Sequence, residues 1–347
     1  MRIFVAGNLG YVGPVLCAHL RKVFPACELH GFDNGYFATC LADGSAFPER
    51  FLDVQHVGDI RDLDAGLLDG VDAVVQLAAV SNDPMGKQFE AATLSINRDA
   101  SVRLAKLAAE AGVRSFVFAS SCSVYGIADS RPRTEVDEVG PETAYARSKI
   151  ETENALRELD SQMVVTVLRF ATACGASPRL RLDLVLNDFV AGALLDGKVT
   201  VLSDGSPWRP LIDVADMAKA IEWAIMREAS QGGQFLVVNT GSNEHNYQVR
   251  DIAKAVAAAL PDIQVSINSE APIDSRSYQV DFSLYERLAP KHHATIGLNE
   301  SISDLVSTIQ QAGLLEERQR ASDLIRLKVL QQHIDANRLT PALEWID

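Results

Sequence analysis

Short runs of apolar residues alternate along this chain with segments in which apolar residues recur every three or four positions. The runs lie at residues 2–6, 29–32, 54–57, 73–77, 115–119, 164–169 and 235–238, and helical periodicity is clearest at 95–111, 145–159 and 214–228. Strands that alternate with helices form parallel sheets, because the chain crosses a face of the sheet between neighbouring strands. The pattern predicts an α/β protein with a Rossmann-type, doubly wound parallel sheet.

Breaks in this alternation predict a smaller lobe beside the sheet. Glycine and proline interrupt the pattern at residues 175–178 and again at 204–207. We expect residues 1–174, rejoined by 214–240, to form a dinucleotide-binding domain, and residues 175–213 and 241–319 to form a C-terminal substrate-binding lobe. Residues 320–347 read as an amphipathic helical tail, which is expected to dock on the protein's own body or on a second subunit.

Composition excludes several function classes. The net charge of −14 argues against a nucleic-acid surface, which would show clustered Lys and Arg. No apolar run is long enough for a membrane span, and the first residues already form a strand, so we expect a cytoplasmic protein with no membrane partner. Five scattered cysteines and an isolated His292–His293 pair predict neither disulfides nor a metal site.

A glycine-rich loop joins the first strand to the first helix, with glycines at positions 7, 10 and 13. Glycines in this context allow a tight turn and let backbone amides approach a pyrophosphate, while the helix presents its positive end to the phosphates. The loop supplies the first predicted cofactor contacts, which are Gly7, Asn8, Leu9, Gly10, Tyr11, Val12 and Gly13.

Asp33 ends the second predicted strand, about 20 residues after the last glycine of the loop. A carboxylate at this position accepts hydrogen bonds from the adenosine ribose hydroxyls and would repel a 2′-phosphate. No arginine follows Asp33 immediately, and Asn34 comes next. The sequence therefore favours NAD over NADP, with Asp33 and Asn34 as predicted contacts.

Tyr145 and Lys149 supply a phenol and an ammonium four residues apart, which places both on one face of a helix. A lysine beside a tyrosine should stabilise the phenolate and lower the pKa of the phenol, so that it can accept a proton. Ser121 follows the buried strand at 115–119, at the strand end where open α/β sheets bind ligands. We predict that Ser121, Tyr145 and Lys149 form the catalytic group.

These features together resemble the extended short-chain dehydrogenase/reductase family, which contains the nucleotide-sugar epimerases, dehydratases and reductases. The segment 58–62 resembles the family's adenine-contacting segment, 77–79 its fourth-strand motif, and Asn97 its structural asparagine. The resemblance extends from residue 1 to about 216 and more loosely to 312. It implies further cofactor contacts at Asp59, Ile60, Leu77, Ala78, Ala79 and Asn97, besides Tyr145 and Lys149.

The resemblance also implies where a nucleotide sugar would bind, although the chain departs from the family here. Arg209 matches the family's arginine and is the best candidate ligand for the diphosphate. Thr172 stands where the family has an asparagine, and Arg276 is close to the register of a second arginine. The predicted substrate-binding residues are Ser81, Asn82, Ser121, Ser123, Thr172, Asn187, Arg209 and Arg276.

The predicted reaction begins with oxidation of a sugar carbinol, in which Tyr145 takes the hydroxyl proton and the nicotinamide takes the hydride. Return of the hydride to the other face gives a C4 epimerase, whereas release of the ketone gives a C4 dehydrogenase or, in reverse, a ketoreductase. A 4,6-dehydratase is the weaker alternative, because the family's Asp-Glu pair is replaced by Cys122 and Ser123. A 3,5-epimerase would want a cysteine at position 123.

Two further alternatives follow from the same residues. A protein that only senses NAD or acts as a scaffold would not need a proton acceptor, so retention of Ser121, Tyr145 and Lys149 favours an enzyme. The helices at 95–111 and 145–159 form a homodimer interface in the family that the chain resembles. Helices that merely cover the sheet would fit this sequence nearly as well.

Overall fold

The computed structural model describes residues 1–43, 47–126, 131–268, 270, 277–314 and 323–346. Within these residues, seven parallel strands form the main sheet, in the order β10-β6-β5-β4-β1-β2-β3. The order reverses between β1 and β4, which is the doubly wound arrangement predicted from the sequence. The strands of this sheet are β1 (Arg2–Ala6), β2 (Glu28–Asp33), β3 (Val54–Val57), β4 (Ala73–Gln76), β5 (Ser115–Ser121), β6 (Val164–Phe170) and β10 (Phe235–Thr240).

Helices cover both faces of this sheet, and others lie beyond it. They are α1 (Gly13–Val23), α2 (Asp83–Gln88), α3 (Glu90–Leu94), α4 (Ala100–Glu110), α5 (Ala144–Arg157), α6 (Val185–Asp196), α7 (Val214–Met226), α8 (Val249–Ala259), α9 (Ser283–Leu288), α10 (Leu298–Gln311) and α11 (Arg326–Asp335). A π-helical turn, Ser95–Asp99, joins α3 to α4, so the predicted helix at 95–111 is the second part of a longer helical region.

Two small sheets lie outside the main one. The first contains β7 (Thr172–Cys174), β9 (Trp208–Asp213) and β11 (Asn246–Gln248), and the second contains β8 (Lys198–Val201) and β12 (Gln264–Ile267). They pack with α6, α8 and α10 around a separate apolar cluster. The division into two lobes with the predicted residue boundaries stays a prediction.

The central strands read as continuous apolar runs because both of their faces are buried. Side chains of β1 illustrate this, since Ile3 and Val5 contact the core on one face and Phe4 and Ala6 contact the core on the other. Parallel pairing in register brings the carboxyl ends of β1, β2, β4 and β5 to one edge of the sheet. The predicted site residues follow these strand ends.

Among the described residues, no helix is both long enough and apolar enough to cross a membrane. All five cysteines are buried free thiols. The described tail, residues 323–346, packs on the protein's own body, which is one of the two arrangements predicted for it.

Candidate active site

A cavity of about 800 Å³ lies at the carboxyl edge of the main sheet and extends to the small sheets. Its wall contains the glycine loop, the end of β2, the segment after β4, the end of β5, the start of α5 and residues of α6. The predicted residues that line it are Gly7, Gly10, Tyr11, Val12, Asp33, Asn34, Ile60, Leu77, Ala78, Ala79, Ser81, Asn82, Ser121, Ser123, Tyr145, Lys149, Thr172 and Arg209.

The glycine loop brings backbone to the cavity at a point where no side chain would fit. Gly7 has φ +88°, and a Cβ added there would lie 2.4 Å from the backbone nitrogen of Ala78. A Cβ on Gly10 would approach the carbonyl oxygen of Gly7 to 3.2 Å. Such exposed backbone before the amino end of α1 suits a pyrophosphate, so the loop fits a dinucleotide.

Asp33 faces the same cavity from the end of β2. Its carboxylate accepts hydrogen bonds from the backbone amide of Leu9 at 3.0 Å and from that of Gly35 at 2.8 Å. Burial raises the pKa of Asp33, and these two amides partly offset the rise. Asp33 thus fixes the glycine loop, while its position in the cavity wall suits a ribose hydroxyl.

Ser121, Tyr145 and Lys149 come together at the cavity, as their spacing predicted. Ser121 is the last residue of β5, and Thr143 caps α5 by accepting a 3.1 Å hydrogen bond from the amide of Ala146. Tyr145 lies one helical turn before Lys149, and the Ser121 hydroxyl is close enough to lower the pKa of the phenol. The group therefore pairs a hydroxyl with a phenol beside a buried ammonium.

The predicted lowering of the Tyr145 pKa is wrong for this structure. Burial raises the pKa of Tyr145 to about 12, and the hydrogen bond from Ser121 offsets only part of that rise. The Lys149 ammonium lies 5.5 Å from the ring centre of Tyr145 and donates a 2.7 Å hydrogen bond to the carbonyl oxygen of Ala119, and its charge does not overcome the effect of burial. Burial lowers the pKa of Lys149 itself to about 8, against an opposing effect of Glu153.

Among the described residues, five of the predicted cofactor residues do not line the cavity, and three of these support it from behind. The Asn8 amide bonds Gln55 at 2.6 Å, and Asn97 holds Val80 through a 2.8 Å hydrogen bond from the Val80 amide. Asp59 forms an ion pair with Arg61 at 2.5 Å. These three, together with Leu9, lie outside the set of cavity-lining residues, and so does Gly13.

Asn187 also lies behind the cavity wall, although we predicted that it binds substrate. It is fully buried, and its amide donates to the carbonyl oxygen of Arg181 at 2.9 Å while its oxygen accepts from the Gly175 amide at 3.1 Å. Asn187 therefore orders the backbone of this segment. Arg276 lies outside the described residues.

The other predicted substrate residues form one end of the cavity. Arg209 donates to the carbonyl oxygen of Trp208 at 2.8 Å, and its guanidinium lies 5.9 Å from the ring centre of Tyr278. Thr172 is hydrogen-bonded to Tyr278. Arg209 and Thr172 thus share a neighbour that sequence reasoning did not identify.

Arg181 and Asp183 form an ion pair in the cavity wall. This pair was not predicted from the sequence. Arg181 bonds both carboxylate oxygens of Asp183 at 2.9 Å and the Ser81 hydroxyl at 2.8 Å, and Asn82 donates to Asp183 at 2.8 Å. Asn82 has φ 109°, which is rare for a residue other than glycine. Burial would raise the pKa of Asp183, but the Arg181 charge holds it below its usual value.

This ion pair links the lobe to the helix that carries Tyr145. Asp83, next to Asn82, accepts a 2.7 Å hydrogen bond from the hydroxyl of Thr143, the cap residue of α5. The segment after β4 is therefore held on one side by α5 and on the other by Arg181 and Asp183. The sequence carries one signal for this ion pair, which is the alternation of charge at 179–183. A search for long charged runs does not detect it.

Comparison with known proteins shows which family this fold belongs to. The sequence model of the NAD-dependent epimerase/dehydratase family matches residues 3–241, which is more than half of the chain. The chain belongs to this family. It is therefore an enzyme of the NAD-dependent type, and the predictions of the fold, the family and the NAD cofactor are confirmed.

Individual members of the family differ in activity. A UDP-glucose 4-epimerase of Bacillus subtilis is 27% identical over 291 residues, covering 74% of this chain and 81% of that protein. UDP-glucuronic acid decarboxylase 6 of Arabidopsis thaliana is 26% identical over 296 residues, covering 82% and 81% of the two chains. These relatives support the family and no particular activity within it.

A solved structure supports the same fold. The UDP-glucose-4-epimerase of Stenotrophomonas maltophila, with bound NAD and formylated UDP-arabinopyranose, superimposes with a TM-score of 0.77 at 24% identity. The match covers 90% of this chain and 98% of that chain. The similarity between these two structures concerns the fold alone.

Proposed function

We propose that this protein is a nucleotide-sugar epimerase that inverts the sugar at C4 through a transient ketone. The observation that carries the proposal is the pairing of Ser121 with Tyr145 at the cavity, beside buried Lys149. NAD, when bound, accepts the hydride from the carbinol carbon and can return it. Relatives named as UDP-glucose 4-epimerases support this reaction and a uridine nucleotide.

The chain's own residues handle the proton and the charge. Tyr145 takes the proton of the sugar hydroxyl, and Ser121 hydrogen-bonds the same oxygen and keeps it next to the phenol. Lys149 holds a positive charge 5.5 Å from the ring centre of Tyr145, which favours the ionised phenol. The same phenol returns the proton when the ketone is reduced.

Residues at positions 122 and 123 favour epimerisation over 4,6-dehydration. Elimination of water needs a base and an acid, whereas this chain has a thiol and a hydroxyl there. Cys122 is fully buried, its thiol contacts the carbonyl oxygen of Arg169, and burial raises its pKa well above the usual value. Cys122 is a packed thiol with no access to substrate.

The second candidate is a C4 dehydrogenase or ketoreductase, which would use the same Ser121, Tyr145 and Lys149. We propose in either case that Arg209 and Thr172 contact the nucleotide diphosphate and that Ser81 and Asn82 border the sugar. The homodimer and the cytoplasmic location stay predictions, and light scattering of the purified protein would test the first.

The test is conversion of UDP-glucose or UDP-glucuronic acid labelled with deuterium at C4. We expect an isomer of unchanged mass that retains the label, without accumulation of reduced cofactor in solution. A stable keto sugar with stoichiometric reduced cofactor would establish a dehydrogenase. Product lighter by water or by carbon dioxide would establish a dehydratase or a decarboxylase. Tyr145→Phe is the control for background conversion.

A further inference from the structure

The C-terminal segment lies against the part of the cavity that begins at Asp33. Asn34, Tyr36 and Phe37 follow Asp33 and line the cavity on one side. The C-terminal segment lines it beside them, through Ile325, Arg326, Leu327 and Leu330. A carboxylate at the end of the second strand of such a sheet binds the adenosine ribose, so this part of the cavity suits the adenosine end of NAD.

Polar contacts fasten the segment at this place. Arg61 donates to the carbonyl oxygens of Ala342 at 3.0 Å and Leu343 at 2.9 Å, and the Tyr36 hydroxyl donates to the same oxygen of Leu343. The indole nitrogen of Trp345 donates to the carbonyl oxygen of Asn34 at 2.8 Å. All of these partners lie in the chain that follows β2 or in the turn after β3.

Apolar burial holds the segment as firmly as these hydrogen bonds do. Leu330, Leu339 and Leu343 are at most 2% exposed and belong to the same core cluster as Tyr36 and Ile60. The segment is therefore a fixed wall of the cavity.

Arg326 anchors the beginning of this wall. It is 1% exposed, its guanidinium lies 5.0 Å from the ring centre of Phe37, and it donates to the carbonyl oxygen of Arg179 at 2.8 Å. Burial lowers the pKa of Arg326 to about 10.

We propose that the C-terminal segment, residues 323–346, closes the adenosine end of the cavity and slows the release of NAD. Residues 325–330 line the cavity, and residues 336–346 hold them in place through their contacts with the chain after β2 and with Arg61. A cofactor that stays bound can take a hydride from one face of a sugar and return it to the other without exchange with solution. The inference rests on NAD as the cofactor and is independent of which sugar reaction follows.

The experiment measures how fast NAD leaves the holoenzyme. Two variants weaken the wall: a chain that ends after Asp335, and Tyr36→Phe, which removes only the hydroxyl that bonds Leu343. Ile346→Ala is the matched control, because its side chain is half exposed and belongs to the same segment. Each protein is loaded with NAD, diluted, and assayed for bound NAD after rapid filtration at successive times.

We expect release from the shortened chain to be at least about tenfold faster than from the wild type, because this variant loses the four hydrogen bonds described above and the buried Leu339 and Leu343. Tyr36→Phe should lie between the two, and Ile346→Ala should match the wild type. Wild-type release from a folded, shortened chain would overturn the proposal. If the shortened chain does not fold, Tyr36→Phe combined with Trp345→Phe decides the question by the same measurement.

A second measurement, the fluorescence of Trp345, does not depend on the rate of NAD release. Trp345 lies beside Asn34, so its fluorescence should change when NAD binds, and subtraction of the Trp345→Phe signal isolates it from Trp208 and Trp223. Unchanged Trp345 emission on saturation with NAD would contradict the placement of the segment at the cofactor. Failure of the labelled-sugar test would leave both measurements intact.

Discussion

The ammonium of Lys149 donates a 2.7 Å hydrogen bond to the carbonyl oxygen of Ala119, two residues before Ser121. This bond joins helix α5 to the end of strand β5 and so fixes the distance between the phenol of Tyr145 and the hydroxyl of Ser121. Lys149 is 3% exposed, which makes this carbonyl an important partner for its charge. The lysine therefore positions the site as well as charging it.

Replacement of Tyr145 by phenylalanine should remove the proton acceptor and leave the fold intact. We expect turnover to fall by roughly 10²–10⁴-fold, as for loss of a positioned acid–base group. NAD affinity, measured by fluorescence titration, should stay near the wild-type value. Tyr247→Phe is the control, since Tyr247 does not line the described cavity. Full turnover in folded Tyr145→Phe protein would rule out the mechanism.

The pH dependence of turnover should report on Lys149. Burial lowers its pKa to about 8, and an ammonium is charged below its pKa, so the charge is lost as pH rises through 8. We expect turnover to decline above that pH in the wild type. Lys149→Arg keeps the charge at every accessible pH and should remove the decline even if overall turnover is lower. Persistence of the decline in Lys149→Arg would assign it to another group.

Replacing only one partner of the Arg181–Asp183 ion pair should destabilise the fold more than replacing both partners. Both side chains are nearly buried, with 9% and 13% exposed. Asp183→Ala leaves the Arg181 charge without its carboxylate, which should lower the free energy of unfolding by about 3–5 kcal/mol. Arg181→Met combined with Asp183→Ala should cost less than Asp183→Ala alone. Urea unfolding of Asp183→Ala, of Arg181→Met and of the double variant measures the difference, and additive losses of the two single variants would contradict the coupling.

Asp188 should reduce stability at neutral pH. Burial and the nearby Asp183 raise its pKa to about 6 from its ordinary value of 3.8, so the folded protein binds more protons than the unfolded chain between these values. Stability then falls as pH rises through that window. Asp188→Asn should raise the melting temperature modestly at pH 7 and leave it unchanged below about pH 4. Equal shifts at both pH values would indicate a packing effect.

Several features of this protein follow from local sequence. The apolar runs and the helical periodicities predict the main sheet because a strand buried on both faces must be apolar throughout. The loop of Gly7, Gly10 and Gly13, the acid at position 33 and the spacing of Tyr145 and Lys149 are equally local. Each of them places its residues at the correct edge of the sheet through the regular geometry of strands and helices.

Contacts between distant segments could not be predicted in this way. The pair of Asn82 with Asp183 and the contact of Trp345 with Asn34 join residues that are far apart in the sequence. The direction of the Tyr145 pKa is another example. Spacing shows that Lys149 lies one turn away, but burial of the phenol in the folded chain raises its pKa, and spacing does not show burial.

The sequence by itself determined the sheet, the cofactor loop and the candidate catalytic group, because each depends on the conformation of neighbouring residues. Tertiary structure decided the depth of burial, and with it the pKa values of Tyr145, Lys149 and Asp188. It also decided which residues face the cavity and which, like Asn97 and Asn187, support it from behind. Desolvation and long-range pairing depend on the packing of the whole chain, so no local pattern encodes them.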